Sequence, residues 1–145
     1  MTLGVAVLVV ALDQLTKSLA VAHLSRPVHV IGPFGLALGY NSGAAFSLFT
    51  GAAPVIAAVA VVLVGALAWL ARRASSTGMA VALGLVLGGA LGNLADRALR
   101  GHHGQVVDFV TFPHWPTFNL ADACITVGVI LAAIFSWRRA PGRAP

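Results

Sequence analysis

The sequence predicts an all-α membrane protein: a four-helix transmembrane bundle with a small extracytoplasmic β-sheet cradle between helices 1 and 2. Three observations predict it. Hydrophobic residues make up 59% of the 145 positions and charged residues 9%, against about 25% charged in soluble domains, and mean hydropathy is +0.92. Four segments reach the length of about 20 mostly apolar residues that a spanning helix needs: 3–23, 54–70, 79–99 and 118–137. Between the first two lies a stretch, 26–50, whose short β-like runs are punctuated by glycine and proline and fit no spanning helix. The length suits a single domain, 1–145.

The first segment has the apolar run of a secretory leader but lacks its basic start. Asp13 and Lys17 also interrupt it, so it reads as a retained helix. At i and i+4 these two can pair on one face and lower their cost in the membrane. After Val28 to Ile31 and Phe34 to Tyr40 comes Asn41-Ser42-Gly43-Ala44-Ala45-Phe46-Ser47, whose small side chains let backbone approach closely. The second helix carries no ionisable residue before Arg72 and Arg73 and reads as scaffold. The third carries Gly84, Gly88 and Gly92 at successive i,i+4 steps, a packing stripe that leads to Asn93, Asp96 and Arg97. In the outer loop, 101–117, Val106 to Val110 is strand-like, and Phe112, Trp115 and Phe118 suit an interfacial belt.

The basic clusters are Arg72-Arg73 and the tail Arg138, Arg139 and Arg143, so the positive-inside rule puts both termini in the cytoplasm. Four antiparallel spans then bring Asp13, Lys17, Asn93, Asp96, Arg97, Asn119 and Asp122 toward the outer face, with Asn41 and Asp108 in loops on that side. Ionisable groups converging at one membrane depth mark a functional site. The net charge of +5 is spread over helix ends and not gathered on one face, which excludes a nucleic-acid surface.

All four acidic residues are Asp. Asp13 has Lys17, and Asp96 has Arg97 and Arg100, at pairing distance along a helix; those two read as structural. Asp108 and Asp122 have no Lys or Arg within seven residues. If they meet, they form a pair that shares a proton, supplying an acid and a base as in an aspartic protease. Asp122 also stands in a first helical turn, where the helix dipole makes the two unequal. Other chemistries are weaker. His102, His103 and His114 in a polar loop read as solvated rather than metal-binding. Cys124 lies about 200° round the helix from Asp122, facing away from it. Ser42 or Ser47 with Lys17 could form a Ser–Lys pair, and a small transporter could use the same charges as a relay. A transporter, however, would show repeated halves and interrupted helices, which are not visible.

Five blocks together resemble the bacterial lipoprotein signal peptidases, or signal peptidase II: Asp13-Gln14-Leu15-Thr16-Lys17, Asn41 to Ser47, Gly88 to Arg97, Val107-Asp108-Phe109, and Phe118-Asn119-Leu120-Ala121-Asp122. The resemblance implies an aspartic endopeptidase of the bacterial inner membrane that removes the signal peptide of diacylglyceryl-modified prolipoproteins on the amino-terminal side of the lipidated cysteine. It places the catalytic pair on Asp108 and Asp122, and supporting or substrate-binding roles on Asp13, Lys17, Asn41, Asn93, Asp96, Arg97 and Asn119. It implies no metal or cofactor. Membrane lipids and globomycin-type inhibitors are the other expected partners, and a monomer is expected.

Overall fold

The computed structural model describes residues 1–42, 74 and 76–137, and within the second expected helix positions 55, 58, 61, 62, 64–67 and 69, all of them helical. The rest of that helix, the small-residue run from Gly43 to Ser47, the Arg72-Arg73 pair and the tail arginines lie outside the described residues.

Helix α1 spans Thr2–His23, α2 spans Thr77–Leu99 and α3 spans Leu120–Trp137. Each is long and apolar enough to cross a membrane, giving three candidate spans among the described residues. Their polarity is inverted relative to a soluble protein. Leu3, Val7, Leu8, Leu12, Leu15 and Leu19 of α1 point outward, while Asp13 and Lys17 are buried with Ala6, Val9 and Ala20. With hydrocarbon as solvent, apolar side chains gain nothing by hiding, and charges must find one another inside.

Helix α2 packs against both α1 and α3. Its start is set by Ser76, whose Oγ accepts from the Met79 N–H at 3.2 Å. Close approach to α1 needs glycine: a Cβ on Gly88 would stand 2.7 Å from the Val9 Cβ and 2.8 Å from the Ala6 carbonyl oxygen. On the neighbouring face, one on Gly89 would stand 2.5 Å from the Ala121 carbonyl oxygen of α3. The stripe read from the sequence as packing is a packing surface here.

Four strands form one antiparallel sheet in the order β1-β2-β3-β4: Val28–Ile31, Phe34–Asn41, Val106–Phe112 and Trp115–Phe118. This corrects the expectation of a cradle made only from the segment between helices 1 and 2. The outer loop supplies half the strands, and β2 pairs with β3 through Gly39↔Asp108, Tyr40↔Val107 and Asn41↔Val106. Phe118 is likewise the end of a strand and not the start of the last helix. Strand β3 begins inside the protein, with Val106, Val107 and Asp108 buried, and becomes more exposed toward Phe112.

Candidate functional site

Asp108 is the third residue of β3, and its side chain is 1% exposed. Both carboxylate oxygens accept from amides: Oδ1 from Asn119 Nδ2 at 2.7 Å, and Oδ2 from Asn41 Nδ2, across the β2–β3 pairing, at 3.0 Å. Burial pushes its carboxyl above the usual carboxylate range. The charge of Asp122 pushes the same way, while the two amide bonds and Lys17 pull it down.

Asp122 comes from the other side, in the first turn of α3. Its position follows from local chemistry. Asn119 stands at the cap before Leu120, where its Oδ1 accepts from the Asp122 N–H at 3.0 Å, and Asp122 Oδ2 accepts from the Asn119 N–H at 3.2 Å. This is a reciprocal capping box built from Asn and Asp. The remaining oxygen, Oδ1, accepts from Asn93 Nδ2 of α2 at 2.9 Å. Asn119 thus joins the two carboxylates, its side chain on Asp108 and its backbone on Asp122. Asp122 is only half-buried and lines a cavity of about 330 Å³ with Trp115, Phe118, Ala123, Thr126 and Val127.

Behind the two carboxylates lies a fully buried ion cluster. Lys17 Nζ stands 2.9 Å from Asp13 Oδ2 and 3.0 Å from Asp96 Oδ2, and it donates to Asn93 Oδ1 at 2.9 Å. The i,i+4 pairing of Asp13 with Lys17 is present, and Lys17 serves Asp96 as well. Asp96 also meets Arg100 Nε at 2.8 Å. Each acid further accepts a backbone N–H: Asp13 Oδ1 from Ala121 and Asp96 Oδ2 from Val107, both at 3.0 Å.

Among the described residues neither Asp108 nor Asp122 forms an ion pair. They are not electrostatically isolated, however, as their sequence neighbourhoods suggest. The Arg97 charge, from α2, acts on Asp122, Asp96 and Asp108. Arg97 Nη1 donates to the Asn93 carbonyl at 3.2 Å, and its buried Nε has no partner among the described residues. All nine residues singled out in the sequence therefore fall in one neighbourhood. Gln14 was missed. It donates to Asp96 Oδ1 at 2.9 Å and accepts from Arg100, clamping α1 to α2. Its place between Asp13 and Lys17 was the available signal, but a neutral amide carries no charge cost to draw attention.

A carboxyl held toward its neutral form beside a second carboxylate that opens on a cavity can supply a proton and accept one. Comparison with known proteins bears on what such a site belongs to. A family profile described as Signal peptidase (SPase) II matches residues 5–138. A lipoprotein signal peptidase of Mycobacterium tuberculosis is 44% identical over 142 residues, covering 94% of this chain and 70% of that protein. One from Rhodococcus jostii is 46% identical over 138 residues, covering 91% and 70%. A solved bacterial membrane enzyme superposes with a TM-score of 0.85 at 30% identity, covering 99% of this chain and 91% of the other. The chain, a multi-pass membrane protein, belongs to the signal peptidase II family.

Proposed function

We propose that this protein is an aspartic endopeptidase that removes the signal peptide from diacylglyceryl-modified prolipoproteins, cutting on the amino-terminal side of the lipidated cysteine, with Asp108 and Asp122 as the catalytic pair. The observation that carries the reading is Asn119, which hydrogen-bonds to both carboxylates and so fixes two acids from separate elements around one point.

In this mechanism Asp122, facing the cavity, takes a proton from water as the water oxygen attacks the scissile carbonyl carbon. Asp108, whose protonated form is favoured by burial and by its neighbour's charge, gives its proton to the carbonyl oxygen. Collapse of the tetrahedral species then breaks the C–N bond. The proton taken by Asp122 leaves on the amine, and the proton on the gem-diol oxygen returns to Asp108, restoring the pair. Asn41 and Asn119 hold Asp108, and Asn93 holds Asp122. Arg97, whose Nε has no partner among the described residues, offers a donor to a substrate carbonyl.

The proposed topology has four spans in the bacterial inner membrane, both termini in the cytoplasm and the pair near the outer boundary. A diacylated cysteine remains in the bilayer there, so the scissile bond reaches the site without the lipid leaving the membrane. Globomycin-type cyclic peptides are expected to compete for the same site, and the enzyme is expected to act as a monomer.

The test is to incubate the purified protein with one prolipoprotein in two forms, with and without the diacylglyceryl group, and to identify products by mass spectrometry. Cleavage before the cysteine only in the lipidated form is the expected result. No cleavage of either, or equal cleavage of both, would contradict it.

A further inference from the structure

The two acids of the buried ion cluster share a feature that pairing with Lys17 does not require. Asp13 Oδ1 accepts the N–H of Ala121, the residue immediately before Asp122, and Asp96 Oδ2 accepts the N–H of Val107, the residue immediately before Asp108. Lys17 joins these two acids and extends a third bond to Asn93, whose Nδ2 meets Asp122. The cluster lies on α1 and α2, whereas the two candidate catalytic carboxylates lie on α3 and β3.

We propose that the Asp13–Lys17–Asp96 cluster is the positioning device for the pair, with each acid setting the backbone of one carboxylate and Lys17 fixing the distance between them. This rests on Asp108 and Asp122 being the catalytic pair.

A charged acceptor binds an N–H more strongly than a neutral one, and a single ammonium bonded to both carboxylates sets the separation between them. At 0% exposure for all three side chains, water cannot substitute for any of these bonds. Asp13 lies against Gly92 of α2: a Cβ there would stand 2.5 Å from Asp13 Oδ2 and 3.1 Å from its Cγ. Glycine at 92 thus leaves Asp13 the room it needs to reach Ala121. Misplacing a reacting group by about 1 Å from a distance can cost about 10²-fold in rate, so displacing either acid should act on turnover and leave substrate binding largely intact.

The experiment compares wild type, Gly92→Ala, Asp13→Ala and Asp13→Asn, each purified and scored for kcat and KM per folded molecule on the lipidated prolipoprotein. Gly92→Ala removes no charge and favours helix, so it keeps the test open if Asp13→Ala fails to fold. We expect Gly92→Ala and Asp13→Ala to lower kcat by about 10²-fold with KM changed less than about threefold. Asp13→Asn has one oxygen for two donors, Lys17 Nζ and the Ala121 N–H, so it should recover only part of that loss. Wild-type kcat in folded Gly92→Ala, or losses confined to KM or to folded yield, would overturn the proposal. A wild type that cleaves nothing would instead overturn the function on which it rests.

Discussion

The orientations of Asn93 and Asn119 are fixed by partners that can only donate. An ammonium has no acceptor, so the atom of Asn93 facing Lys17 Nζ is its oxygen, which turns the NH₂ toward Asp122. The Asp122 N–H likewise selects the oxygen of Asn119, leaving its NH₂ for Asp108. Each carboxylate then receives a donor on both oxygens, and what separates them is burial. Because Asp108 is raised, its protonated form persists to higher pH than an ordinary carboxylate, and activity that needs that proton falls as pH rises through the raised value. The Asn41 bond favours the charged form, so Asn41→Leu should move the alkaline limb of the kcat–pH profile further up. A limb that stays put or moves down would deny Asp108 the acid role. Much of this chemistry was legible in the sequence, since four aspartates in so apolar a chain each demand a partner. The backbone donors of Val107 and Ala121 were not, because every residue but proline carries an N–H and nothing in the sequence marks which one a buried acid will take.

Helix α2 organises the elements, and its glycines decide how near α1 and α3 can come. Gly88 faces backbone as well as side chain on α1, whereas a Cβ on Gly4 meets nothing within 4 Å. Gly88→Ala should therefore lower thermal stability in detergent by about 1–3 kcal/mol through overpacking, while Gly4→Ala should not lower it. Equal midpoints for the two would show that the α1–α2 contact has slack. The three spans among the described residues were readable from hydropathy, with boundaries shifted by only one or two residues for α1 and α2. The sheet was only half readable. Short β-like runs and turn residues mark β1, β2 and β3, but Trp115 to Phe118 reads as an interfacial belt and not as a strand, and the pairing of Asn41 with Val106 joins positions far apart in the chain, which nothing local encodes. The start of α3 was misjudged because apolar Phe118 continues the hydropathy run. The cap pattern, Asn119 followed three residues later by Asp122, marks the true boundary.

On the scale of the molecule, charge inside and apolar surface outside give a bundle that holds its shape only where lipid or detergent covers it. The proposed orientation puts the β3–β4 turn on the outer side of the inner membrane. His114 in that turn is exposed, and Cys124 is the chain's single native thiol. In a Cys124→Ala background, His114→Cys should react with a membrane-impermeant maleimide added to intact spheroplasts. Reaction only after lysis would reverse the topology and with it the outward-facing site.

The central claim is that Asp108 and Asp122 act together on one peptide bond. Its most direct measurement is single-turnover cleavage of the lipidated prolipoprotein by wild type, Asp108→Asn and Asp122→Asn, at equal folded concentration. The account predicts that each substitution alone reduces the rate by about 10²–10⁴-fold, the range for losing a general acid or base, with binding of substrate retained. Either variant cleaving at the wild-type rate would contradict it.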